Sequence, residues 1–329
     1  MSDTIPLGRS PVRISPVGVG TMSWSGEEGR GAYGGTRPAD EEAAFRASLD
    51  SGVTLFDTMG MYSRGKCERR VGELACGTNA VIATKFLPSR LVPPAFPYLP
   101  SHLPKLLDAA LARLGRTTVD VYQLRSFGIV PIKAWMNRLA DAVEAGKVRA
   151  VGVSGFTEEK LRAAHAALEA RGIPLASIQN QYSLLDRRPE FDGVLSACRD
   201  LGVTLIAFSP LALGALSGKY RPGHLPEDML RRRMAGPFRA SRMAFTLRVT
   251  EKLAAIGESH GKSVPQVALR YLIEQGAVPI PGAKNEKQAR DNAGAMTFSL
   301  SGTEINELRE ATKDLVGART APSSAASVA

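Results

Sequence analysis

Apolar residues recur along this chain in two alternating rhythms. Short β-branched runs, each a strand's length, are followed by stretches whose apolar positions fall every three or four residues, the period of an amphipathic helix. The opening segment, Ile5–Pro16, reads as a small hairpin around Gly8, Arg9 and Ser10. A first core strand over Val17–Gly20 leads into a glycine-rich loop, Gly26–Gly35. The helix after it carries Asp40, Glu41 and Glu42 in its first turn and stops at Gly52. Strands then follow at Thr54–Asp57, Ala80–Phe86, Val119–Leu124, Ala150–Ser154, Ser177–Gln181, Thr204–Phe208 and Ala277–Ile280. Helices between them are expected at Glu68–Cys76, Ser101–Leu114, Ile132–Ala145, from Thr157 onward, and at Phe191–Leu201. Further helices are expected at Phe245–Ser259, Val264–Gln275, Glu286–Ala293 and Thr303–Leu315. Most are punctuated by glycine, which closes a helix without steric cost.

Eight strand–helix units in unbroken succession imply a parallel sheet, and this many in one chain suit a closed (β/α)8 barrel of the α/β class with an N-terminal hairpin and extra C-terminal helices. An open doubly wound sheet is the alternative. Its usual cue is missing, because Gly18 and Gly20 are not followed by a third glycine at the right spacing and no helix opens there. The reading is one barrel over residues 1–317 and a Ser/Ala-rich, disordered tail over 318–329.

Composition narrows the class. The chain has 329 residues, 44% of them apolar and 22% charged, as expected of a globular protein. The longest apolar runs, such as Val203–Phe208, fall far short of the ~20 residues that a membrane-spanning helix needs, so no membrane partner is expected. The net charge of +10 invites a nucleic-acid reading. Apart from Arg231, Arg232, Arg233, Arg239 and Arg242, however, the basic residues are scattered and aromatics are only 6%, so a solvated basic loop is preferred and no nucleic-acid partner is expected. Cys67, Cys76 and Cys198 are too few and too dispersed for a disulfide framework or a metal site. With no apolar leader visible, a cytoplasmic location is expected.

Chemistry in such a barrel sits where strands end. Those ends present Asp57, Lys85, Arg125, Ser154, Gln179, Ser209 and the segment Gly282–Lys284. Asp57 and Lys85 close neighbouring apolar strands, where unpaired charges are costly, so they are expected to pair. On their own they would read as a structural salt bridge. Tyr62, five residues after Asp57, adds a phenol that can fold over the mouth. A cation beside a phenol tunes it for proton donation to a developing alkoxide.

With these residues in order, the sequence resembles the aldo-keto reductase superfamily over about residues 5–317. The matching blocks are Phe56, Asp57, Thr58 and Tyr62 with Gly65, Glu68 and Gly72; Ala83–Phe86; Asp120–Leu124; Gly146–Ser154; Ser209–Gly214 with Gly218 and Tyr220; and Ile280–Lys284 with Asn292. The nearest look-alikes are the plastid and bacterial NADP-dependent members. The resemblance implies NADP(H) bound across the barrel mouth and hydride transfer to a small aldehyde or ketone. Tyr62 would then donate the proton, Lys85 would tune it, and Asp57 would partner Lys85. Ser154 and Gln179 would hold the nicotinamide carboxamide, and Phe208 would stack on the ring in place of the family's usual Tyr. Ser209, Leu211 and Gly214 would follow the pyrophosphate. Gly282, Lys284, Gln288 and Asn292 would meet the adenosine end, with Lys284 toward a 2′-phosphate.

Three departures qualify that pattern. Arg125 stands where the family has a catalytic His, and none of His102, His165, His224 or His260 lies on a strand to replace it. Gly155 follows Ser154 where Asn is common. Met59 and Met61 make the loop before Tyr62 apolar, and with Trp24 they are candidates for the substrate pocket. Arg125 either holds a carbonyl oxygen or an anionic substrate group, or swings away to pair with a loop carboxylate. Two further readings stay open beside the reductase: a cofactor-binding sensor with little turnover, and a specialised enzyme that uses Arg125 to bind an anionic substrate. Cys67 reads as core or as a cofactor contact. The substrate, oligomeric state and reaction direction are not encoded in any motif.

Overall fold

A computed structural model of the chain describes residues 4–25, 35–88, 99–126, 130–226 and 236–315. The arginines 231–233, most of the glycine-rich loop Gly26–Gly35, and the tail 318–329 lie outside them. Strands β1 (Ile5–Pro6) and β2 (Arg13–Ile14) form the expected antiparallel hairpin. The barrel strands are β3 (Gly18–Gly20), β4 (Leu55–Asp57), β5 (Val81–Phe86), β6 (Val119–Arg125), β7 (Val148–Ser154), β8 (Leu175–Gln181), β9 (Thr204–Phe208) and β10 (Ala277–Pro279). They pair in sequence order and all in parallel. The ring is drawn shut just past β10, where Gly20 bridges Gly282 and the Gly20 N–H donates to Pro281 O at 2.9 Å. The fold is therefore the (β/α)8 barrel that the alternating pattern predicts.

Helices α1 (Pro38–Asp50), α2 (Lys66–Ala75), α3 (Leu103–Leu114), α4 (Ile132–Glu144), α5 (Glu158–Glu169) and α6 (Val194–Leu201) follow the successive strands. After β9 come α7 (Ala240–His260) and α8 (Val264–Glu274), and after β10 come α9 (Glu286–Ala293) and α10 (Gly302–Ala311). Their starts follow the capping chemistry. The Thr157 hydroxyl accepts from Lys160 N at the head of α5, and Ser263 with Gln266 and Ser301 with Glu304 form reciprocal capping boxes on α8 and α10. Three helix bounds need correction. Helix α7 starts at Ala240, five residues before the expected Phe245, because Arg239 is the last extended residue before it. Phe191 is exposed and precedes a left-handed Gly193, so α6 starts at Val194, whose N–H bonds Asp192 Oδ1 at 3.1 Å. The helix expected to reach Leu315 ends at Ala311, and among the described residues a single 3-10 turn, Lys313–Leu315, follows it.

Two apolar layers hold the barrel. The larger lies between strands and helices and includes Trp135, Tyr122 and Phe86. The smaller fills the barrel's closed end, where Leu55, Ala83, Val121, Ala150, Ala176, Ile206 and Val278 meet Leu7, Val12 and Ile14 of the hairpin. Three of these inward residues are alanines, which leaves room for the hairpin to plug the end. Gly8 fits that plug tightly: its N–H bonds Thr204 Oγ1 at 2.7 Å, and a Cβ there would stand 2.5 Å from Ala176 O. Above this apolar floor the inward rows turn polar, and register sets their order. One row runs Lys85, Gln123, Gly152, Ser177; the next runs Arg125, Ser154, Gln179.

Candidate active site

The floor of the site is one carboxylate. Asp57, buried at the end of β4, receives Lys85 Nζ on Oδ1 at 2.5 Å, and Gln179 Nε2 at 2.7 Å and Gln123 Nε2 at 3.2 Å on Oδ2. Lys85 also donates to Thr58 O at 3.1 Å. Side chains from four strands, β4, β5, β6 and β8, thus converge on one buried ion pair, an arrangement that stabilises a charge only when it is fully bonded. Around it, Thr58 Oγ1, Gln123 Oε1 and Ser177 Oγ are buried with no partner among the described residues. Gly152 accommodates this crowding, since a Cβ there would lie 2.5 Å from Ser177 Oγ.

Tyr62 hangs over this floor, half-buried, with its ring centroid 5.3 Å from Lys85 Nζ. Its loop is strained. Ser63, Arg64 and Gly65 are all left-handed in succession, and the two non-glycine residues cost roughly 1 kcal/mol or more each. Arg113 of α3 holds the loop in this shape. Its side chain lies so close beneath Gly60 and Gly65 that a Cβ on either would come within 2.9 Å or 2.5 Å of it. Its Nε meets Glu68 Oε2 at 2.5 Å, and the other oxygen of fully buried Glu68 takes the Thr84 hydroxyl at 2.7 Å. One ion pair therefore braces the Tyr62 loop against β5, the strand that carries Lys85. Sequence reasoning missed Gln123, Glu68 and Arg113 as site residues. The available signal was a polar residue inside an apolar run, which Gln123 and Thr84 both are.

Arg125, at the end of β6, donates from Nη1 to Ser154 Oγ at 3.0 Å and lays its Cζ 5.3 Å from the Phe208 ring centroid. Burial pulls the guanidinium below its ordinary value, while Tyr62 and Asp57 nearby oppose that. It remains a cation across any working pH. Gly155, where Asn is common, is left-handed, and a Cβ would stand 2.7 Å from Ser126 O, so the departure has a steric reason.

After β9 the chain again runs left-handed, at Ser209, Ala212, Leu213 and Gly214, with Leu211 beside them. The segment past β10 forms its own cluster: Gln288 Oε1 accepts from Lys284 N at 2.9 Å and Asn292 Nδ2 donates to exposed Gly282 O at 3.2 Å. Met61 is 43% exposed, whereas Met59 is buried. Trp24 is wholly buried: its indole donates to Ala283 O at 2.8 Å and its own carbonyl accepts from Cys67 Sγ at 2.8 Å. It props the segment past β10 from below. Burial pushes the Cys67 thiol up to about 11, so it stays neutral there. Gln179 serves Asp57, a task that the resemblance did not assign it. Among the described residues no cluster of three potential metal ligands occurs, and no helix is long and apolar enough to cross a membrane.

Comparisons with known proteins agree with this fold. The aldo/keto reductase family model matches residues 16–313. The chloroplastic pyridoxal reductase of Arabidopsis thaliana is 32% identical over 331 residues, taking in 92% of this chain and 85% of that one. An NADP(+) aldo-keto reductase of Schizosaccharomyces pombe is 31% identical, with 98% and 93% of the two chains covered. Among solved structures, a glycerol dehydrogenase from Gluconobacter oxydans superposes with a TM-score of 0.81 at 26% identity, over 98% of each chain.

Proposed function

The chain belongs to the aldo/keto reductase family, and from that premise we propose that it reduces an aldehyde or ketone with NADPH, using Tyr62 as the proton donor. The observation that carries this is the convergence of Lys85 on both Asp57, at 2.5 Å, and the Tyr62 ring, at 5.3 Å. A pure binding protein has no need of a phenol set beside a buried, carboxylate-held ammonium.

The residues present fit a nicotinamide cofactor. Phe208 already accepts a flat cation on its face, Ser154 offers a hydroxyl beside it, and the turn at Ser209 with the left-handed stretch Ala212–Gly214 suits close passage of a pyrophosphate. When bound, the cofactor supplies the hydride equivalent. Tyr62 supplies the proton to the carbonyl oxygen, and Lys85, fixed by Asp57, favours the phenolate left behind. Lys284 beside α9 suits a 2′-phosphate, and the Schizosaccharomyces pombe relative is named for NADP(+). Arg125 adds a donor cation at the mouth in place of His. It suits carbonyl compounds that carry an acidic group, and pyridoxal, the named substrate of the Arabidopsis thaliana relative, has a phenolic oxygen next to its aldehyde.

The test is loss of NADPH absorbance with a panel of neutral and anionic aldehydes and ketones, pyridoxal among them. Wild type should turn over at least one class, and Tyr62→Phe should lose about 10²–10⁴ in kcat while still binding NADPH. A Tyr62→Phe variant with wild-type turnover would remove Tyr62 from the mechanism.

A further inference from the structure

This inference rests on the nicotinamide reading of the site and concerns which redox form the site prefers. Arg125 touches two groups at once: its guanidinium lies 5.3 Å from the Phe208 ring centroid and bonds Ser154 Oγ at 3.0 Å. In the proposed function those groups are the stacking surface and the carboxamide anchor of the nicotinamide. A single side chain thus lies on both contact points. A guanidinium is planar, delocalised and permanently charged, so the object that rests on Phe208 here is a flat cation.

The oxidised and reduced nicotinamides differ in that very property. The oxidised ring is a flat cation and the reduced ring is neutral, while the phosphates and the adenosine are the same in both. Contacts made to those shared parts therefore cancel when the two affinities are compared. Either ring must displace the guanidinium from Phe208. Displaced from the ring, Arg125 stays at the mouth, because its charge interacts favourably with Asp57 below and its Nη1 bonds Ser154 Oγ beside it. Once displaced it faces a neutral ring in one case and a second cation in the other.

We propose that Arg125 sets the redox preference of the site, making it bind the reduced cofactor more tightly than the oxidised one and release the oxidised product readily. Two like charges about 6 Å apart at an effective dielectric of ~20 correspond to roughly a hundredfold in affinity. Partial exposure of Arg125 screens that to about tenfold. The preference favours loading of the reduced cofactor and weakens product inhibition, while the overall equilibrium of the reaction is unchanged.

The test is a pair of dissociation constants, for NADPH and for NADP(+), measured by titration of the full-length chain without substrate. Wild type should bind NADP(+) at least about tenfold more weakly than NADPH. Arg125→Met should cut that ratio by about tenfold, and so should Arg125→Gln, which can still donate to Ser154 and serves if the Met variant does not fold. Arg125→Lys, which keeps the charge and loses the flat stack, should hold the wild-type ratio. A ratio near one in wild type, an unchanged ratio in the neutral variants, or equal changes in Lys and Met would each overturn the proposal. A wild-type chain that binds neither form overturns this proposal and the functional reading together. Binding of both forms with a ratio indifferent to Arg125 overturns this one alone.

Discussion

Two buried ion pairs in this molecule look alike and are built to opposite ends. At the mouth, Lys85 meets Asp57. Across the barrel, in the loop after β8, Arg187 meets Glu190 through two bonds of 2.6 and 2.9 Å. Glu190 also takes the Tyr182 and Tyr271 hydroxyls at 2.8 and 3.0 Å, and Arg187 reaches Thr312 Oγ1 and Arg309 O at the end of α10. That second network ties β8's loop to α8 and α10. The network around Asp57 instead keeps three buried polar atoms without partners among the described residues and a half-buried phenol at its rim. A closed network rigidifies, whereas orphaned polar atoms cost stability and are kept where chemistry uses them. The difference separates a clamp from a working site more cleanly than burial or distance does.

The comparison can be broken in stages. Tyr62→Phe is the largest expected effect: alongside its loss of turnover, thermal unfolding should stay close to wild type, because the rim phenol is not part of a closed network. A large drop in Tm would make Tyr62 a structural residue. Glu190→Gln should do the reverse, sparing turnover per folded molecule while costing about 3 kcal/mol by stranding buried Arg187. Burial works to raise the Glu190 carboxyl, yet the bonds from Arg187 outweigh it and hold the group below its ordinary value. Its contribution is thus full above about pH 4.5 and fades as pH falls through the lowered value. Denaturation curves of wild type and Glu190→Gln should converge in acid, and a gap that persists there would contradict the assignment.

Arg113→Met should lower kcat by about tenfold through a loosened Tyr62 loop, with NADPH affinity unchanged and partial rescue by Lys. An equal loss in affinity would show general disruption instead. The smallest effect belongs to Ser177→Ala. Removing an orphaned hydroxyl beside Gly152 should stabilise the fold by about 1 kcal/mol, read as a small rise in the denaturation midpoint. Destabilisation would mean that Ser177 belongs to a closed network after all.

Much of this was legible from sequence for identifiable reasons. Alternating runs and glycine stops carried the barrel, and charges at the ends of apolar strands carried Asp57 and Lys85. What stayed hidden depends on register and torsion. That Gln123 and Gln179 share Asp57 requires knowing the register carried across the strands from β4 to β8. That Arg113 braces the Tyr62 loop requires knowing that Gly60 and Gly65 close around one side chain. Arg125 was open between a clamp and a distant pairing because both start from the same backbone, and only its side-chain torsions put it on Phe208 and Ser154. The start of α6 was misplaced because Phe191 looks like a core residue in sequence yet lies outside the helix on the surface.

The seam between Gly20 and the segment at Pro281 and Gly282 has a consequence for how the protein comes into being. It joins stretches some 260 residues apart, so the ring closes only when nearly all of the chain has emerged from the ribosome. The cluster of Lys284, Gln288 and Asn292 lies just beyond that seam. A nascent chain halted between Gln179 and that seam already carries the residues of the Asp57 floor, yet it lacks β10 and the cluster beyond it. Under the proposed function, which sets the adenosine end of the cofactor against that cluster, capture of the dinucleotide is in effect a certificate of completed synthesis.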